Sequence, residues 1–94
     1  MSAELAIDRV WVFHGDGAQF ASGVFFDEAQ GLAWVERHHL TGVLAEYPAG
    51  GGCYDVAVHE GRFRSTKPHH GSPADVAAFG PGLRHVHVID GHRA

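Results

Sequence analysis

Short apolar runs broken by glycine, rather than long helical stripes, set the pattern of this chain. Arg9-Val10-Trp11-Val12-Phe13-His14 is almost continuously apolar and β-branched or aromatic, which predicts a strand covered on both faces in the middle of a sheet. Gly15-Asp16-Gly17 stops it, and Phe20 to Phe26 can return antiparallel through a loop longer than a two-residue turn. Asp27 opens the main helix: its carboxylate can cap the free N–H groups of the first turn, and Gln30 stands three residues later, as in a capping box. That helix is expected to run to about His39, closed by Thr41-Gly42. Two further strands are read over Val43 to Tyr47 and Tyr54 to His59, joined through Pro48 and Gly50-Gly51-Gly52. In the second, Tyr54, Val56 and Val58 alternate with Asp55, Ala57 and His59, the pattern of a half-exposed strand. Gly61 to Pro73 is polar and irregular. Ser72-Pro73-Ala74-Asp75 predicts a short capped helix to Phe79, and Arg84 to Asp90 reads as the last strand.

The fold expected from these elements is α+β. One small domain spans 1–94, with its core over about 8–91. An antiparallel sheet of about five strands follows the order β-β-α-β-β-β. One main helix packs on a face, and a short helix precedes the last strand.

Composition narrows the function classes. Seven Lys plus Arg against eleven Asp plus Glu leave a formal charge of -4. Nucleic-acid binding draws most of its affinity from clustered basic charge, so a phosphate backbone is not the expected partner. A single cysteine, Cys53, excludes an internal disulfide and points to a reduced, cytoplasmic setting. Met1 to Asp8 lacks the basic start and apolar stretch of a signal peptide, and no apolar run approaches the roughly 20 residues that span a bilayer.

Nine histidines supply the most visible candidate chemistry. His85 and His87 lie two apart on the last predicted strand, so both imidazoles should leave the same face. Neutral imidazole suits zinc or another divalent transition metal, and a third ligand would come from His14, Asp90 or the His69-His70 pair. A plain solvated sheet face explains the same pair without a metal, and no cofactor is expected on balance.

A second group lies between Arg62 and His70. Arg62, Arg64, Lys67, His69 and His70 form a locally basic segment in an acidic chain, suited to an acidic partner or simply to solvation. Cys53 follows three glycines and could present a thiol, although a small buried residue explains it as well. His14-Gly15-Asp16-Gly17 lacks the lysine and following helix of a phosphate loop and reads as a turn. No complete catalytic constellation is present, so enzymatic activity is not expected.

Trp34 carries the remaining signal. It lies about 200° around the helix from Leu32, so one flat sheet cannot cover both fully. Ala29, Leu32, Ala33 and Leu40 are expected to cluster on the buried side. Trp34 then needs another cover: a loop, the C-terminal segment, or a protein partner.

Several stretches together resemble a family of small stand-alone bacterial proteins of unknown function. They are Val10-Trp11-Val12-Phe13-His14-Gly15-Asp16-Gly17, Ala33-Trp34-Val35, His39-Leu40-Thr41-Gly42 and His85-Val86-His87-Val88-Ile89-Asp90-Gly91. The resemblance runs from about Arg9 to Gly91 and brings no activity, cofactor or catalytic residue with it. Small acidic α+β proteins of this kind include immunity proteins that block a toxin by binding it, a likeness of class alone.

The leading expectation is therefore a protein-binding module of the immunity type, with Trp34 and the Arg62 to His70 segment as contact surfaces. The alternatives are a metal-binding protein using His85, His87 and His14, and a structural homodimer; the chain is expected to be a monomer or homodimer, with no nucleic-acid or membrane partner.

Overall fold

A computed structural model describes residues 8–94. Met1 to Ile7, part of the stretch read above as lacking a leader, lie outside the described residues. The order is β1 (Arg9–Gly15), β2 (Gly23–Phe25), α1 (Glu28–His38), β3 (Gly42–Pro48), α2 (Cys53–His59), α3 (Pro73–Ala78), β4 (His85–Ile89) and β5 (His92–Arg93). The fold is α+β with a five-stranded antiparallel sheet in the order β2-β1-β3-β4-β5. Two compact units divide the chain. One comprises Arg9 to Tyr47 with Leu83 to Ala94; the other holds Asp8 and Pro48 to Gly82.

In the sheet unit, β1 occupies the interior position expected of it, but only one face is deeply buried. Trp11 and Phe13 are buried, whereas Val10 and Val12 are half-buried. With Val35, Leu44 and Val88 they form the core. Asp27 caps α1 as expected: its Oδ1 accepts from the Gln30 N–H at 2.8 Å, and Gln30 Oε1 accepts from the Phe26 N–H at 3.0 Å. The far end closes earlier than Thr41-Gly42, through His39 in the left-handed region (φ 56). Its N–H donates to Glu36 O and that of Leu40 to Val35 O, the paired bonds of a Schellman ending.

The buried face of α1 differs from the one read from the sequence. It is centred on Gly31 and Val35, flanked by half-buried Leu32 and Trp34, while Ala29 and Ala33 are exposed. Gly31 has no side chain to count, yet this absence lets the helix approach Leu44: a Cβ at Gly31 would lie 2.8 Å from its methyl carbons.

The largest correction concerns Tyr54 to His59, which form helix α2 rather than a strand. Val56 and Ala57 are adjacent and both buried, which alternate-facing strand positions could not achieve on one side; a helix does so readily. Gly61 (φ 77) ends α2 with a second Schellman pair, Gly61 N–H to Val58 O and Arg62 N–H to Ala57 O. The fifth strand is instead β5, joined to β4 by Asp90-Gly91, both at positive φ, with Ile89 paired to His92. That is the two-residue hairpin turn for which Asp-Gly is favoured. Pro73–Ala78 forms the short helix expected before the last strands, with Ser72 Oγ accepting from the Asp75 N–H.

Candidate functional site

The sheet order leaves β2 at an edge, paired with β1 through Trp11–Phe25, Val12–Val24 and Phe13–Gly23. Its other side pairs with no strand among the described residues. Helix α1 runs beside it, because the chain passes directly from Phe25 through the Asp27 cap into Glu28. Between helix and edge lies an open groove of about 520 Å³, lined by Val24, Phe25 and Phe26 on one side and Ala33, Trp34 and Arg37 on the other. Gln30 also borders it.

Trp34 forms the floor. Its ring meets Phe13 edge-on at 5.8 Å and Phe25 at 5.3 Å, with His38 at 5.5 Å. These contacts hold the indole half-buried, covered partly by Phe13 of β1 and Phe25 of β2. Phe26, also in the lining, is 84% exposed. Arg37 is the only charged residue of the lining. The acidic groups at the start of α1 are engaged elsewhere, Asp27 in the cap and Glu28 with Arg93 at 3.4 Å.

The basic segment Arg62 to His70 lies in the other unit, where Arg62 and His70 make contacts within that unit. Arg62 is bound to Glu60 at 2.9 Å and to Pro81 O at 3.0 Å. His70 Nδ1 accepts from the backbone N–H groups of Thr66 and Lys67 at 3.0 and 3.2 Å, and its ring stacks edge-on against Phe63. Phe63 in turn packs with Tyr54 and Phe79. Arg62 and His70 are therefore tied to neighbours within this unit, His70 half-buried and Arg62 exposed like Arg64, Lys67 and His69.

His85 and His87 do leave one face of β4, both exposed, with ring centroids 5.1 Å apart. His14 engages Ala18 O through Nε2. Among the described residues, no three His, Cys, Asp or Glu side chains come together to hold a metal ion. The pair on β4 thus remains two donors without a third.

Cys53 stands at the first position of α2, half-buried. Burial pushes its thiol up from the ordinary range, against the opposing pull of the Arg62 charge and the backbone. A thiol held in its protonated form is a poor nucleophile. Alkylation by iodoacetamide at pH 7.4 should accordingly be slower than that of glutathione, followed by mass spectrometry; an equal or faster rate would contradict this environment.

Comparison with known proteins adds one finding. A family model described as a domain of unknown function (DUF7710) matches residues 10–94. The chain belongs to this family. No curated protein and no solved structure matches it. Family membership covers both units and assigns no chemistry, so the functional reading rests on the geometry above. No helix among the described residues is long and apolar enough to cross a membrane.

The edge position of β2 is what sequence reasoning missed about this site. Trp34 was visible through its angle from Leu32, but its relation to β2 depends on strand order. The apolar run Val24-Phe25-Phe26 just before the Asp27 cap was the available signal.

Proposed function

We propose that this protein is a protein-binding module whose partner seats in the groove between α1 and the edge strand β2. The observation that carries the reading is the half-buried Trp34 in a groove whose lining includes the exposed ring of Phe26. Aromatic side chains contribute most to binding where a partner excludes water from around them, and contiguous exposed apolar surface is uncommon without such a role. The immunity type is the finer form of the proposal: the partner is a toxin, neutralised by direct contact.

The experiment places a photo-crosslinking amino acid at Ala33, which is exposed and lines the groove, in native cell lysate. One partner should be captured at a defined site, and capture should fail when Phe26→Ser is added. For the immunity type, that partner expressed alone should arrest growth, and co-expression of this chain should restore it. Capture unaffected by Phe26→Ser would refute the groove as the contact surface; growth unaffected by the partner would remove the toxin reading.

A further inference from the structure

The groove's two walls constrain the shape of what can fill it. One wall is a sheet edge, whose outward backbone groups are satisfied by another extended segment; the other is a helix face that leaves room between itself and that edge. We propose that the occupant is an extended peptide segment of a partner protein, added as a sixth strand beside β2, with a carboxylate directed at Arg37. This rests on the reading of the groove as the contact surface and names its occupant.

Alternation supplies the specificity. Phe25 faces α1, where it meets Trp34, so neighbouring Val24 points to the opposite face of the sheet. A strand laid along β2 would send alternate side chains toward Trp34 and Ala33, which accept apolar groups. At the same end of the lining, Arg37 is exposed and unmatched by any acidic residue of the groove. Its guanidinium does approach His38 Nε2 at 3.3 Å, a contact that leaves its planar fork able to take a carboxylate. The expected recognition element is thus short, with apolar residues at alternate positions and Asp or Glu near one end. β2 is three residues long, so the paired stretch spans roughly 10 Å. Strand addition of this kind takes affinity from main-chain hydrogen bonds and specificity from alternate side-chain pockets.

A second copy of the chain fits less well. Two such edges would bring together chains that each carry a net charge of -4, and neither groove lining offers an acidic group to the other's Arg37.

Random linear dodecapeptides displayed on phage, panned against the full chain, supply the probe. Enriched peptides should alternate apolar residues and carry an acidic one. When the synthetic peptides bind, the amides of Gly23 to Phe25 should shift in NMR spectra, and those pointing away from β1 should exchange more slowly with solvent. Arg37→Glu should weaken binding by about tenfold or more, and a peptide with lysine in place of its acidic residue should recover that loss. Phe26→Ser, at an exposed position, should also weaken binding while leaving the protein's melting curve unchanged.

Peptides that shift only α1 amides, with no slowed exchange along β2 and no dependence on Arg37, would leave the groove as the contact surface but overturn strand addition. Failure of any peptide to enrich, or mapping of the bound peptides outside the groove, would overturn both readings. Concentration-dependent dimerisation abolished by Phe26→Ser would assign the groove to a second copy and equally overturn the proposal.

Discussion

Gly42→Ala is expected to destabilise the sheet unit by about 3 kcal/mol or more. A Cβ at this buried position would lie 2.3 Å from the carbonyl oxygen of His14 and 2.8 Å from the Cα of Gly15. Both obstacles are backbone, so no side-chain rotation relieves them. Relief would require β3 to move away from β1, yet the Asp16 N–H donates to Thr41 O beside the contact, and on its other side β3 is held by pairing of Gly42 with Val88. For a chain of this size the loss corresponds to a fall in Tm of roughly 12–24 °C. Trp11 and Trp34 both lie in the sheet unit, so tryptophan fluorescence reports its unfolding directly. Gly17→Ala serves as the control. Gly17 has a positive φ of 73 but nothing within 4 Å of a built Cβ, and should cost only about 1–2 kcal/mol of backbone strain. Equal losses at the two positions would show that backbone conformation, and not close strand approach, accounts for the effect.

Gly42 also illustrates which parts of the fold could be read from the chain. Its glycine was read as the stop of α1, a local role, whereas His39 ends that helix and Gly42 serves a contact with a strand 27 residues earlier. Signals confined to a few neighbouring residues were legible: the Asp27 cap with Gln30, the Ser72-Pro73 start of α3, and the strand carrying His85 and His87. Asp90-Gly91 was equally local and marks the β4–β5 hairpin, but with only two strand residues after it the chain's end offers little alternation to reveal β5. Tyr54 to His59 failed for another reason. So short a segment, with Asp55 and His59 among its apolar residues, satisfies both periods, and the need to bury Val56 and Ala57 together decides in favour of the helix.

The candidate site shows the same division. The angle between Leu32 and Trp34 is intrinsic to the helix, so the incomplete cover of Trp34 could be anticipated. The groove could not, because it requires β2 to be the edge rather than an interior strand, and strand order follows from pairings distant in sequence. In the basic segment, composition shows Arg62 and His70 only as charges; their contacts with Pro81 and Thr66 become apparent only once the loop is folded.

Leu44→Ala should cost about 2–5 kcal/mol, the range for removing a large aliphatic side chain from a core. Leu44 is completely buried in β3 beneath α1, among Phe13, Val35 and Val88. Gly31→Ala should also destabilise, by roughly 1–3 kcal/mol, even though alanine is the better helix former. The added methyl would meet both Leu44 methyl carbons at 2.8 Å, and a fully enclosed leucine has little room to turn aside. Combining the substitutions should reverse part of this damage, because the methyl at 31 enters space that the shortened side chain at 44 vacates. The double variant is therefore expected to be more stable than the sum of the single losses by about 0.5–3 kcal/mol. Urea unfolding of all four proteins, followed by tryptophan fluorescence, measures the coupling. Strict additivity would mean that α1 does not rest on Leu44 through Gly31. Positive coupling would locate the close contact that fixes the height of α1 over the sheet, and with it the position of Trp34 beside β2.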